Sequence, residues 1–295
     1  MTPPPRPIAA APPRFGCVVL SAGRSAEDLA RALASLQAQR GVETDVVVVG
    51  NGWEPAGLPP GIRQVYIRDS VGIPAGRNAG VPHVEGELLF FLDDDASLAE
   101  PDALARVAEQ LHGDVGAVQL RVDPLAGGPP LREWVPRPGP RDRTRSGDVT
   151  ALWEGAVAMP RAVFEQVGGW PGEFRFVHEG VDLAWRVLDA GYRVRYAGDI
   201  AVLHPPARAT VRHGYSLYYG ARNRVLLARR HLPLPLAIPY VASFMARTAP
   251  RLRSVTAARA ALRGYRDGFT VPARRRPLRA RTLWRMTRAG RPPIL

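Results

Sequence analysis

The sequence predicts an α/β fold, a Rossmann-like, mostly parallel sheet flanked by helices and followed by a helical C-terminal extension. Three observations carry this reading. Short apolar runs at 15–20 (FGCVVL), 45–49 (DVVVV) and 88–92 (LLFFL) end in small or polar residues, as buried parallel strands do. Between the first two runs, Leu29, Leu33 and Leu36 recur at helical spacing, with Ser25 as N-cap and Gly41 as stop. That completes a strand-helix-strand unit. The third run passes directly into Asp93-Asp94-Asp95, at the carboxyl end of its strand, where open α/β sheets bind ligands.

Composition narrows the class. The 295 residues are 46% hydrophobic and 23% charged, the balance of a globular chain with one large domain or one domain and an appendage. The single cysteine, Cys17, lies inside an apolar run; this excludes a disulfide framework and fits a reduced, cytosolic setting. There is no lysine, and the net charge of +13 is concentrated in residues 244–295, which hold 14 arginines and one acid, Asp267. A near-neutral body with a basic tail points to an anionic surface rather than an acidic substrate in the core. The tail lacks the aromatic interleaving that stacks on single strands, so a membrane is expected and nucleic acid is not. Residues 1–13 are rich in Pro and Ala without the apolar core of a signal peptide and read as a disordered leader.

The remaining elements follow in order. Residues 63–67 read as a short third strand. At 71–80, Gly72, Gly76 and Gly80 surround Arg77 and Asn78, a helical segment slim enough to pack beneath a nucleotide. A helix is expected at 101–111 and a strand at 116–120. Residues 123–148, loaded with Pro, Gly and Arg, show no periodicity, which suits either disorder or a lid. After Trp153-Glu154-Gly155, a short helix at 160–167 begins on Pro and closes at Gly168-Gly169-Trp170. A longer helix runs from His178 to Ala190 and stops at Gly191; Glu179, Asp182 and Arg186 share one of its faces. Two strands, 192–196 and 200–203, end at His204-Pro205-Pro206. Helical pattern returns at 210–230. Residues 232–246 are uncharged but too short and too rich in proline to span a bilayer. Residues 252–265 mix Leu, Val and Ala with Arg in a pattern suited to lying on an anionic bilayer.

The chemistry starts from Asp93, Asp94 and Asp95. Adjacent carboxylates repel one another, and a hard divalent cation, Mg²⁺ or Mn²⁺, with substrate phosphates completing its shell, is their natural partner. A solvated acidic loop or helix start would use the same residues. Glu179 and Asp182 also suit the dipole of a helix N-terminus. Trp153, Trp170 and Trp185 suit either a sugar face or ordinary packing.

Taken in order, these pieces resemble family 2 glycosyltransferases of the GT-A fold, over residues 15–206. The opening strand and its small-residue turn are followed by Val49-Gly50-Asn51-Gly52, which resembles Val-Asp-Asn-Gly. Residues 72–80 are similar to a Gly…Arg-Asn-Xaa-Gly segment, and 91–95 to the DXD metal motif. Residues 168–170 resemble a Gly-Gly-Phe/Trp turn, and 179–186 a Glu-Asp-Xaa-Asp-Leu-Xaa-Xaa-Arg motif. The rhamnosyl- and galactofuranosyl-transferase-like bacterial members are the nearest in pattern.

Beyond the Arg-rich, membrane-associating helical extension (207–295) read from composition, the resemblance implies a nucleotide-binding half (14–122) and an acceptor half (149–206). It implies donor contacts from Ser21, Gly23, Asn51, Gly72, Arg77, Asn78, Asp93 and Asp94. Asp93, Asp95 and His204 would hold Mn²⁺ or Mg²⁺. Trp153, Glu154, Gly155, Trp170 and Arg186 would face the acceptor. Two departures stand out. Gly50-Asn51 replaces an acid that often contacts the ribose, which leaves UDP-, GDP- and dTDP-sugars open. Gly180 takes the place of an Asp that serves many members as base, so the role shifts by resemblance to Glu179, with Asp182 second. The expected activity is an inverting, metal-dependent transfer of a hexosyl or deoxyhexosyl group to a glycan or lipid-linked acceptor for the cell envelope. The expected location is the inner face of the cell membrane. Rival readings are a non-catalytic membrane or nucleic-acid binding module and a sugar nucleotidyltransferase, for which residues 20–24 lack the customary lysine.

Overall fold

The computed structural model describes residues 11–131, 134–136, 142–205, 213–289 and 292. The apolar runs form neighbouring parallel strands. β1 (Arg14–Ser21) lies between β2 (Glu43–Asn51) and the strand that ends in the acids, while β3 (Arg63–Ile67) continues the sheet beyond β2. α1 (Ala26–Gln37) joins β1 to β2, and the Ser25 hydroxyl caps it by accepting the Asp28 N–H at 3.1 Å. α2 (Ile73–Gly80) lies hard against the sheet. A Cβ on Gly76 would come within 2.5 Å of Leu20, and one on Gly80 within 2.6 Å of Val18. The glycines one turn apart therefore set how closely this helix can approach. β4 (Leu88–Asp93) then pairs with β1 so that Leu20 stands opposite Asp93.

The second half of the sheet departs from the mostly parallel expectation. After β5 (Ser97–Leu98) and α3 (Ala103–Gln110), β6 (Val115–Pro124) and β7 (Gly147–Val149) are followed by β8 (Ala156–Pro160). β8 runs antiparallel between β4 and β6, in the middle of the sheet. Its residues, Ala-Val-Ala-Met-Pro, are short and followed at once by a helix, which hides the strand in the sequence. α4 (Arg161–Val167) and α5 (Glu179–Ala190) come next. The two strands expected at 192–196 and 200–203 are one, β9 (Arg193–His204), which stays paired with β6 across a register shift between Leu120 and Arg121. The irregularity takes up residues 198–200, and it is this kink that reads as a gap in the pattern. Among the described residues the sheet runs β3-β2-β1-β4-β8-β6-β9-β5, with β7 also on β9.

The segment 123–148 is not uniformly irregular: β6 extends to Pro124, Trp134 and Val135 are buried, and β7 closes it. Residues 132–133 and 137–141 lie outside the described residues, as do 1–10 of the expected leader, Pro206, and 210–212 of the expected helix start. The chain ends in α6 (His213–His231), α7 (Leu234–Thr248), α8 (Val255–Thr270) and α9 (Ala280–Arg288). Leu226, Leu227, Leu232, Tyr240, Leu278 and Met286 share a core with Val18, Phe91 and Trp185. These helices are thus packed into the body. No described helix is long and apolar enough to cross a membrane.

Candidate active site

Four strand ends meet on one edge. β1, β2 and β4 are parallel; β9, parallel to β6 and separated from β4 by the antiparallel β8, leaves on the same side. The Ser97–Leu203 pairing of β5 with β9 then draws the acidic segment onto the end of β9. As a result His204 Nε2 stands 3.0 Å from Asp95 Oδ1 and 3.9 Å from Asp93 Oδ2. One ligand atom from each of the three lies within 4.8 Å of the others. His204 is buried, which disfavours its charged form. The hydrogen bond to Asp95 and the charges of Asp95 and Asp93 outweigh that and raise its pKa. Its Nδ1 faces the Pro205 carbonyl, which leaves Nε2 for the carboxylates or a metal. Two carboxylates and an imidazole form a donor set suited to Mn²⁺ and acceptable to Mg²⁺.

Each aspartate is fixed differently. Asp93 Oδ1 accepts from Arg77 Nη2 at 2.6 Å. Arg77 is only 2% exposed, and its guanidinium lies 5.0 Å from the Trp170 ring centre. Asp94 Oδ2 accepts from the Ser21 hydroxyl at 2.6 Å, and Ser21 Oγ in turn accepts the Gly23 N–H at 3.0 Å. Burial, against the pull of the Ser21 hydrogen bond, pushes the Asp94 carboxyl up to about 6. Asn51 and Asn78, expected at the donor, spend their amides on backbone. Asn51 spans the Val71 N–H and the Gly72 carbonyl; Asn78 spans both the N–H and the carbonyl of Trp170.

A second cluster sits beside Asp93. The Asp93 N–H donates to the Gly155 carbonyl at 2.9 Å, which sets Glu154 at the entrance to β8. Glu154 Oε1 accepts the Gly180 N–H at 2.6 Å in the first turn of α5. Next to it, Glu179 is 2% exposed. Among the described residues its Oε2 has no hydrogen-bond partner, and neither do Arg77 Nε and Nη1. Burial, then the neighbouring Glu154, pushes the Glu179 carboxyl up to about 8; burial raises Glu154 as well, against the Gly180 N–H and Arg77. Both carboxyls are thus held toward their protonated forms and titrate as a pair.

Asp182, Arg186 and Trp170 are enclosed. The Asp182 carboxylate is fully buried, with Oδ1 2.7 Å from His231 Nε2 and Oδ2 2.7 Å from Arg186 Nε. Burial opposes its ionisation, yet the His231 hydrogen bond and the charges of Arg186, His231 and Arg230 hold it well below the usual carboxylate range. Arg186 also donates to the carbonyls of Val167 and Gly169, the open end of α4. Trp170 packs edge-on against Phe91 at 5.2 Å. Trp185 packs on His231 and Tyr240. Trp153 alone of these three tryptophans is partly exposed, edge-on to His204 at 5.3 Å.

A family model described as "Glycosyl transferase family group 2" matches residues 88–255, more than half of the chain. The chain belongs to that glycosyl transferase family. This family member is 33% identical over 114 residues to the succinoglycan biosynthesis protein ExoO of Rhizobium meliloti (strain 1021). That match covers 36% of its length and about a third (32%) of the relative's. Its fold is GT-A. It resembles the mannosyltransferase PcManGT of Pyrobaculum calidifontis, solved in complex with GDP-Man and Mn²⁺, with a TM-score of 0.57 and 18% identity. That superposition covers 97% of this chain and 87% of the other. It also resembles S. aureus TarS in complex with UDP-GlcNAc, with a TM-score of 0.58 and 15% identity, over 88% of this chain and 82% of the other.

The glycosyltransferase also places three residues that sequence reasoning passed over. Trp134 is buried edge-on against His204 at 5.5 Å. Gln119, fully buried in β6, donates to the Trp134 carbonyl at 2.9 Å and accepts the Trp153 N–H at 2.8 Å. It thereby steadies both rings against His204. A lone Gln within the apolar 115–122 run was the available signal. His231, the anchor of Asp182, carries no local signal.

Proposed function

We propose that this glycosyltransferase moves a sugar from a nucleoside-diphosphate donor to an acceptor hydroxyl, with inversion at the anomeric carbon and with Mn²⁺ or Mg²⁺ bound. One observation carries the reading: Asp93, Asp95 and His204 converge within 4.8 Å on the sheet edge that also bears the partly exposed Glu154 and the buried Glu179. Asp93, Asp95 and His204 would hold the cation, which supplies charge neutralisation for a departing diphosphate. Arg77 fixes Asp93, Ser21 fixes Asp94, and Trp134 and Trp153 fix His204. The Glu154–Glu179 pair is the source of the base that takes the acceptor proton. Asp182, with both oxygens bonded inside the protein, orients α5 instead.

The donor class is supported by GDP-Man and UDP-GlcNAc in the two related structures. The name of the 33% identical relative, a succinoglycan biosynthesis protein, is consistent with a glycan acceptor. Transfer of a hexosyl or deoxyhexosyl group is consistent with both. Calorimetric titration with UDP, GDP and dTDP, each with and without Mn²⁺, tests the reading. Binding of one nucleotide that requires Mn²⁺ and is lost in Asp93→Ala/Asp95→Ala is the expected result. Absence of nucleotide binding by folded protein overturns it in favour of a non-catalytic module.

The C-terminal helices extend the proposal to a peripheral site on an anionic membrane. Leu234 and Ile238, and Leu262, Phe269 and Trp284 further on, are exposed, and residues 244–295 carry the whole of the excess charge. Apolar side chains interleaved with arginine suit the boundary between headgroups and acyl chains.

A further inference from the structure

Position 180 is glycine in the first turn of α5, although glycine is a poorer helix former than alanine. Backbone conformation does not ask for it, because its φ is not among the positive ones. Space does. A Cβ at 180 would lie 2.7 Å from Glu154 Oε1, 2.8 Å from Glu154 Cγ and 2.5 Å from the Leu152 carbonyl oxygen. The Glu154 carboxylate therefore occupies the volume that any other residue at 180 would claim, and the Gly180 N–H holds it there at 2.6 Å. Residues 154 and 180 form one device across 26 positions of sequence.

The two glutamates of the cluster are not equivalent. Glu179 is 2% exposed, whereas Glu154 is partly open to solvent. Glu154 Oε1 is committed to Gly180, which leaves Oε2 as the oxygen able to meet an incoming group. Glu154 also precedes Gly155, whose carbonyl is bonded to the Asp93 N–H, so its position relative to the acidic strand end is fixed through backbone.

We propose that Glu154 is the catalytic carboxylate that receives the acceptor proton, and that Gly180 is retained to seat it. This rests on the nucleotide-sugar transfer proposed above. In that step the acceptor O–H proton passes to Glu154 Oε2, and the acceptor oxygen bonds to the anomeric carbon. The bond from that carbon to the diphosphate oxygen breaks, and its electron pair leaves with the nucleoside diphosphate. Glu179 lines the floor beneath Glu154 and does not take the proton.

The full chain, with Mn²⁺, is assayed for release of nucleoside diphosphate from UDP-glucose, UDP-GlcNAc, GDP-mannose and dTDP-rhamnose, with water as acceptor. Glu154→Gln keeps an oxygen for the Gly180 N–H, so its melting temperature and nucleotide binding stay at wild-type values. Its kcat falls about a hundredfold or more, within the range general-base catalysis supplies, with donor KM within about threefold. Gly180→Ala, which pushes Glu154 from its seat, loses kcat in the same way with nucleotide binding retained. An active wild type whose Glu154→Gln variant keeps its kcat within about fivefold overturns this assignment alone. A wild type that binds no nucleotide and releases none overturns the donor reading beneath it.

Discussion

His231 Nε2 stands 2.7 Å from Asp182 Oδ1, across 49 residues of sequence and in a fully buried setting. This contact joins the end of α6 to the first turn of α5, the helix that carries Glu179 and Gly180. Arg230 Nε lies 3.4 Å from the same oxygen, and Arg186 takes the other. The C-terminal helices therefore set the angle at which α5 presents its N-terminus to the site.

Asp182→Asn leaves three basic groups facing a neutral amide in the core. Removing one partner of a buried ionic cluster costs about 3–5 kcal/mol. Urea unfolding of the full chain should register that loss, whereas Glu179→Gln in the same experiment should not.

His204→Ala and Asp95→Ala should each weaken Mn²⁺ binding, read by calorimetry. In the wild type that affinity should rise with pH. The folded environment raises the His204 pKa, and Nε2 must shed its proton before it can bind a metal. Below that raised pKa, affinity should fall by about tenfold per pH unit. His204→Ala should flatten the profile.

The buried carboxyl pair makes stability fall toward alkaline pH. Glu179, raised from 4.5 to about 8, binds its proton more tightly in the folded state than in the unfolded chain. That contribution is whole below about pH 4.5 and is lost as pH rises through about 8. Between about pH 5 and about pH 8.5, wild type should lose roughly 2–4 kcal/mol more than Glu179→Gln. Urea midpoints across that range check it, and parallel curves would refute it.

Membrane association should depend on exposed side chains. Leu226, Leu227, Leu232 and Tyr240 are core residues, so deleting the helices would unfold the body. Replacing Leu262, Phe269 and Trp284 by Ser leaves the core intact. In flotation on vesicles of mixed anionic and neutral phospholipid, the triple variant should stay at the bottom of the gradient while wild type floats. Equal flotation of the two would exclude this face as the contact.

The strands at 15–20, 45–49, 63–67 and 88–92, the helix of small residues and the acidic strand end were legible in the sequence. Each is a local pattern: an apolar run buried on both faces, glycines one turn apart, carboxylates where a strand leaves the sheet. The pairing of Asp93 and Asp95 with His204 was legible only as a resemblance, because His204 follows Asp95 by 109 positions and the β5–β9 pairing closes that distance. The antiparallel β8 was hidden by its brevity, and the single strand β9 by its bulge. What only the tertiary structure decided is the surroundings of each acid. Glu179 and Asp182 read alike as carboxylates at a helix start, and Glu154 as an acceptor contact implied by the resemblance. Packing then buries Asp182 among His231, Arg186 and Arg230, buries Glu179 with one oxygen unpartnered among the described residues, and seats Glu154 in the space that Gly180 leaves. Residue type and spacing set which groups are available within one element. The surroundings that fix a carboxyl's charge and reach come from elements distant in the chain, and only the folded molecule brings those together.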